Sequence, residues 1–455
     1  MLVALCTLAS TIPAAAAEAP PLWTVIPFAG LLTAIAVAPL AIPHIWHRWY
    51  PTISIGLVAL MATFYVLVEG DAGPMVHAGF EYFSFLALLA SLFLASSGIV
   101  VDLRARATPG INLGLLLGGA VLANLVGTTG ASLLLIRPFL RINEGRLRPY
   151  HVAFFIMIVA NIGGALTPIG DPPLFLGYLR GIDFFRFFTL ALPEWLTALS
   201  LLGAAFWWFD SRNHAISRAE PHPRLTIEGG RGLFFLPVII GAVFLDPAKI
   251  PSLPALTVMV HGEPVRFSFL RELIQLAAGY QAWRMASPHL LRINGFTFEP
   301  IREVAFLFAG IFATMAPALA IIHAHAVGGR IPLDATGFYF GTGGLSAVLD
   351  NAPTYLAFLS ALEGKEALTT TQLARSTDPG IIAELAACTV AAVFWGAMTY
   401  IGNGPNFMVK AICSDAKDAA GEPLVETPSF FGYILRFSLP ILLPVLIVVW
   451  AIWIW

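Results

Sequence analysis

The sequence predicts an all-α polytopic membrane protein made of two inverted-topology repeats, each with a re-entrant helical hairpin and a broken transmembrane helix. Three observations predict it. Of 455 residues, 58% are hydrophobic and 11% are charged, against about a quarter charged in a soluble domain, so water is not the solvent for most of this surface. Apolar runs of roughly 20 residues, the length that crosses a hydrocarbon core as helix, recur from Leu22 to Trp455. Two of these runs are interrupted midway by glycine and polar residues, and each is followed by a second interrupted run.

The elements follow in order. Residues 1–20 read as a signal peptide, with an apolar stretch ahead of Ala14-Ala15-Ala16-Ala17, or as an uncleaved stub, since no basic n-region precedes that stretch. An N-terminal transmembrane repeat is expected over residues 21–209, a cytoplasmic connector over 210–231 and a C-terminal repeat over 232–455. Uninterrupted spans are expected near residues 22–42, 51–69, 81–100, 191–209, 232–245, 268–286, 301–322 and 432–455, each bounded by charge, Pro or Gly. The segment 268–286 carries Arg271, Glu272, Gln275 and Arg284, so it also reads as an interfacial amphipathic helix.

Residues 111–140 form the first expected hairpin. Arg104 and Arg106 precede it and Arg137, Arg141, Arg146 and Arg148 close it, and basic flanks on both sides put both ends in the cytoplasm. Its midpoint, Asn124-Leu-Val-Gly-Thr-Thr-Gly130, suits the turn between two half-helices. Residues 337–362, broken at Leu349-Asp-Asn-Ala-Pro-Thr354, form the second hairpin, entering from the opposite side. With both treated as re-entrant, most of the 25 Lys and Arg fall on the cytoplasmic side.

Broken helices are expected over residues 150–180 and 381–412. Their interruptions match: Thr167-Pro-Ile-Gly-Asp-Pro-Pro-Leu-Phe175 against Thr399-Tyr-Ile-Gly-Asn-Gly-Pro-Asn-Phe407, with five of nine positions identical, 232 residues apart, and Asp171 aligned with Asn403. Such breaks free backbone carbonyls where no lipid can satisfy them, so they line a cavity or hold a cation. Carbonyl ends of half-helices favour a cation and amide ends an anion.

Asp171 and Asp350 are the leading candidates for sodium or proton binding, because a carboxylate at membrane depth is costly unless paired or protonated. Each also fits as an N-cap of the half-helix that follows. Asn124, Thr128, Thr129, Asn161, Thr167, Ser346, Asn351, Thr354, Thr399, Asn403 and Asn406 supply neutral ligands, with helix-to-helix hydrogen bonding as the alternative for each. Lys410 reads as a snorkelling anchor, His323 and His325 as residues of the outer rim, and Cys6, Cys388 and Cys413 as packing residues.

These motifs, Asn161-Ile-Gly-Gly-Ala-Leu-Thr-Pro-Ile-Gly-Asp-Pro-Pro173 and Asp350-Asn-Ala-Pro-Thr-Tyr355, resemble those of the ion transporter superfamily. That superfamily includes NhaD-type sodium/proton antiporters, arsenite permeases and citrate/dicarboxylate carriers. The resemblance implies ion and substrate binding at Asp171, Asp350 and the Asn and Thr residues above, and often a homodimer. Leu166-Thr-Pro-Ile-Gly-Asp171 is similar to the sodium/proton branch, whereas Pro172-Pro173 is similar to the arsenite and organic-anion branches.

The expected function is secondary active transport by alternating access. Sodium/proton antiport leads, because the breaks hold two acids and no Arg or Lys nearer than Lys410. Sodium- or proton-coupled carriage of citrate, a dicarboxylate or an arsenite-type anion is the alternative. A passive channel is a third reading. An intramembrane aspartyl hydrolase is disfavoured, since Asp171 and Asp350 lack the Tyr-Asp and Gly-x-Gly-Asp contexts. With no HExxH, nucleophile elbow or paired-cysteine zinc site, no resident cofactor is expected. The net charge of −2 gives no basic surface for nucleic acid. The expected partner is the lipid bilayer, in a bacterial inner (cell) membrane.

Overall fold

Residues 20–217, 224–247, 249–250, 252–260, 263–327, 332–417 and 421–455 are described by a computed structural model. The tract read as a signal peptide or stub lies outside them except for Pro20, as does Cys6. Among the described residues, eight helices are long and apolar enough to cross a membrane. They are Leu22–Pro39, Pro43–Val68, Gly73–Ser97, Pro109–Ile142, Phe184–Ser211, Glu299–Val327, Pro379–Met398 and Phe430–Ile454. The chain is a helical, multi-pass membrane protein. The second helix begins at Pro43, earlier than expected: Pro43 takes the first helical turn, where its missing N–H is not needed, and Pro51 lies inside the run.

Pro109–Ile142 has 34 residues and as one straight helix would be about 51 Å long. Instead the Asn112 and Asn143 carboxamides donate to one another at 2.9 and 2.8 Å, so the chain folds back on itself. It reverses at Gly127, whose φ of 79° and ψ of 156° lie where a side chain is strained. The two ends are held by Asp210 at the close of Phe184–Ser211. Its carboxylate accepts from Asn112 Nδ2 at 3.0 Å, from Arg146 Nη1 at 3.1 Å and from the Tyr150 hydroxyl at 2.6 Å, and His151 Nε2 stands 3.1 Å away. This acid is fully buried, and deleting one partner of such a cluster costs about 3–5 kcal/mol.

Ala335–Ser346 and Asn351–Glu366 pack side by side in the second half, with the Phe338 and Phe358 rings 6.3 Å apart. Each hairpin is followed by an interrupted helix. The first runs through Pro149–Ile158, a single 3-10 turn at Ile162–Gly164, and Pro172–Leu179. The second runs through Pro379–Phe394, Trp395–Met398 and Gly404–Asp415.

The segment read as span or interfacial helix is Leu270–Met285. It lies lengthwise along Gly73–Ser97. Ser84 Oγ donates to Glu272 Oε1 at 2.6 Å, a β carbon on Gly279 would stand 2.6 Å from Ser91 Cα, and one on Gly98 would stand 2.5 Å from Ala286 Cβ. All three pairs are 188 residues apart, so the helices run parallel. Arg271 and Glu272 pair with one another at 2.7 Å, which removes the main objection to burying them.

The all-α expectation holds, and two short strand pairs accompany the helices. Arg224–Glu228, inside the expected connector, pairs antiparallel with Val100–Arg104, and Leu256–Val260 pairs with Glu263–Phe267. In the first pair Leu225 and Ile227 alternate with polar residues, a two-residue period that helices do not use.

Candidate functional site

The interruptions converge on one carboxylate. Asp171 opens Pro172–Leu179, and the prolines at the first helical positions lack the N–H groups that a cap would serve. Its side chain makes no cap hydrogen bond. Oδ1 accepts from Thr128 Oγ1 at 2.9 Å and from Asn403 Nδ2 at 3.0 Å, and Oδ2 accepts from Asn351 Nδ2 at 2.5 Å. Thr128 belongs to the first hairpin, Asn351 to the second, and Asn403 to the second interrupted helix. One acid thus gathers a donor from each of the other three breaks.

The network extends through carboxamides. Asn403 Nδ2 also lies 3.2 Å from Asn161 Oδ1, and Asn161 Nδ2 donates to Asn406 Oδ1 at 2.5 Å. Asn406 Nδ2 closes the chain on the Gly396 and Thr399 carbonyls, both at 2.9 Å. Asp171, Thr128, Asn351, Asn403, Asn161 and Asn406 are all buried. Among the described residues no Lys or Arg donates to Asp171, so the donors that meet its charge are neutral. Asn351 Oδ1, on the carboxamide that holds Asp171, is buried without a hydrogen-bond partner. An orphaned carbonyl oxygen beside a carboxylate is the start of a hard-cation ligand set. Among the described residues, no group of three His, Cys, Asp or Glu forms a conventional metal site.

The other predicted residues tie backbone to backbone. Thr167 Oγ1 donates to the Asn124 carbonyl at 2.7 Å and accepts from Gly170 N at 3.2 Å. Thr399 Oγ1 does the same in the second half, to the Ala347 carbonyl at 2.6 Å and from Gly402 N at 3.2 Å. Asn124 Nδ2 holds the Gly163 carbonyl at 2.6 Å, and Ser346 Oγ holds the Ala392 carbonyl at 2.6 Å. Thr354 Oγ1 donates to the Asp350 carbonyl at 2.9 Å. Thr129 is half-buried and lines a small pocket at the hairpin turn.

Asp350 stands apart from the network. Its Oδ1 accepts from Ala352 N at 3.0 Å, the cap reading, and the residue is half-buried. Asn351, the next residue, reaches Asp171 in its place. Lys410 lies 4.6 Å over the Tyr400 ring, a cation–π contact in addition to any snorkelling role.

The chain matches the family described as "Putative citrate transport" (CitMHS_2) over residues 17–454. The chain belongs to that family. No curated protein matches it. In this member of the citrate-transport family Glu194, absent from the sequence candidates, is a buried acid with one unpartnered carboxylate oxygen in Phe184–Ser211. An acid inside an apolar run was the available signal. Trp195 beside it donates from Nε1 to the Gly163 carbonyl at 3.2 Å.

Proposed function

We propose that this protein is a cation-coupled secondary transporter of a small carboxylate of the citrate class, with Asp171 and Asn351 Oδ1 holding the coupling sodium ion or proton. The observation that carries the reading is the single acid held by donors from three other chain breaks. A cation entering there changes the charge that holds four separate segments together, which is how occupancy and conformation become linked. Family membership supports the carboxylate.

We read the two halves as inverted repeats with re-entrant hairpins. The matched Thr167 and Thr399 bonds support this, as do the extended φ, ψ of Asp171 (−144°, 145°) and Asn403 (−153°, 139°). Parallel packing of Leu270–Met285 on Gly73–Ser97 supports the alternation of sides that lets the second hairpin enter opposite the first. Transport without bond chemistry, rather than an enzyme, follows from this reading.

Sodium/proton antiport is the second reading, favoured by the absence, among the described residues, of any Lys or Arg donating to Asp171. Proteoliposomes offered citrate, dicarboxylates, arsenite, Na+, Li+ and K+ in turn decide between them. Cation-dependent citrate uptake is expected; sodium-driven proton movement with no anion flux would transfer the case to antiport.

A further inference from the structure

A cavity of about 930 Å³ opens at the end of the molecule where both ends of the first hairpin meet, within the roughly 300–1,000 Å³ usual for small-molecule sites. Its wall combines the returning arm of that hairpin, the ends of Gly73–Ser97 and Gly404–Asp415, the linker at residues 294–297 and the start of Glu299–Val327. Arg137 and Arg141 face it from one arm. Arg141 is committed to Asp102 in an ion pair. Arg137 is not: its Nη1 is buried without a hydrogen-bond partner, and no ion pair involves it among the described residues. Glu144, Glu299, Asp415 and Lys417 stand in the same wall, and none of them pairs with Arg137.

The linker folds closely over this guanidinium. Gly295 has φ +57°, and a β carbon on it would stand 3.0 Å from Arg137 Nη2. An arginine kept for packing alone would be expected to end on a carboxylate or carbonyl, because an unpaired buried charged N–H is costly. A planar guanidinium edge left without a partner matches the two oxygens of a carboxylate.

A second, smaller pocket of about 80 Å³ adjoins the cavity, shares Phe93 and Pro300 with it and is lined by Thr128 and Thr129. Thr128 holds Asp171. Nine residues of helix separate Arg137 from Thr128, about 14 Å at 1.5 Å per residue. We propose that Arg137 is the anion-recognition residue of this vestibule, holding one carboxylate of a small di- or tricarboxylic acid before it passes Phe93 toward the site at Asp171. It supplies the positive charge that the centre lacks. This rests on the carboxylate-transport reading given above.

The test uses the full chain in proteoliposomes, with radiolabelled citrate and succinate as probes and initial rates for wild type, Arg137→Gln and Arg137→Lys. Arg137→Gln should raise the carboxylate KM by about tenfold or more with maximal rate little changed, the loss expected for one charge-assisted hydrogen bond, and Arg137→Lys should recover part of it. An unchanged KM in Arg137→Gln overturns the role of Arg137 while leaving carboxylate transport intact. A wild type that exchanges Na+ for protons and moves no carboxylate overturns both. Should Arg137→Gln fail to accumulate, phenylglyoxal labelling of wild-type Arg137, mapped by mass spectrometry, decides instead. Protection by citrate supports the site and no protection overturns it.

Discussion

The two interrupted helices use one backbone and carry different charge. At Thr167 and Thr399 the same hydroxyl bridge forms, and at Gly170 and Gly402 the chain passes so close to Gly164 and Gly396 that a side chain would collide with their carbonyls. At the next position one half has a carboxylate and the other a carboxamide that donates to it at 3.0 Å. The scaffold is thus duplicated while the charge is single. An arrangement of two acids would repel across that distance; acid and amide attract, and leave one titratable group to govern the centre.

Asp171→Asn is the strongest way to break the comparison, since it makes the two halves alike. Coupled uptake should fall about ten- to hundredfold, as for loss of interactions worth about 1.5–3 kcal/mol, while the unfolding midpoint stays near wild type because the shape is kept. Unaltered coupled flux in this variant would remove Asp171 from the mechanism. Exchanging the pair, Asp171→Asn with Asn403→Asp, should recover about tenfold over Asp171→Asn alone if the duplicated backbone presents either position equally. Uptake no better than the single variant would show that Thr128 and Asn351 serve only the first position.

Smaller effects grade the backbone itself. A β carbon on Gly170 would stand 2.0 Å from the Gly164 carbonyl oxygen, and one on Gly402 would stand 2.6 Å from that of Gly396. Gly170→Ala should therefore destabilise more than Gly402→Ala, each by about 1–3 kcal/mol, read as the order of unfolding midpoints in detergent. The reverse order would contradict the close approach seen in the first half. Least affected should be Asp350. Asp350→Ala loses a cap worth about 1 kcal/mol, whereas Asp350→Asn keeps it and should transport far better than Asp171→Asn. Equal losses at both acids would return Asp350 to the ion site.

The breaks were legible in the sequence because glycine and proline act on their own backbone, wherever the chain later goes. Gly127, Pro172 and Pro173 needed no tertiary information to be read. Convergence was less legible. Asp350 and Asn351 are neighbours, yet one caps its helix and the other reaches Asp171, a difference set by side-chain direction around the helix start. Asn124, Thr167, Ser346 and Thr399 carry polarity indistinguishable by composition from that of Thr128 and Asn403. They hold carbonyls instead of the acid. In the sequence Arg137 is legible only as a topological flank, because no spacing rule says which of several arginines is left without a partner.

Asp210 has a mechanical consequence. Through Asn112 it grips the beginning of the first hairpin, through Arg146 the residues just past its end, and through Tyr150 the helix that follows. A flap fastened at both edges does not swing from either. Displacement of that hairpin therefore carries the close of Phe184–Ser211 with it, so the two move as one lever.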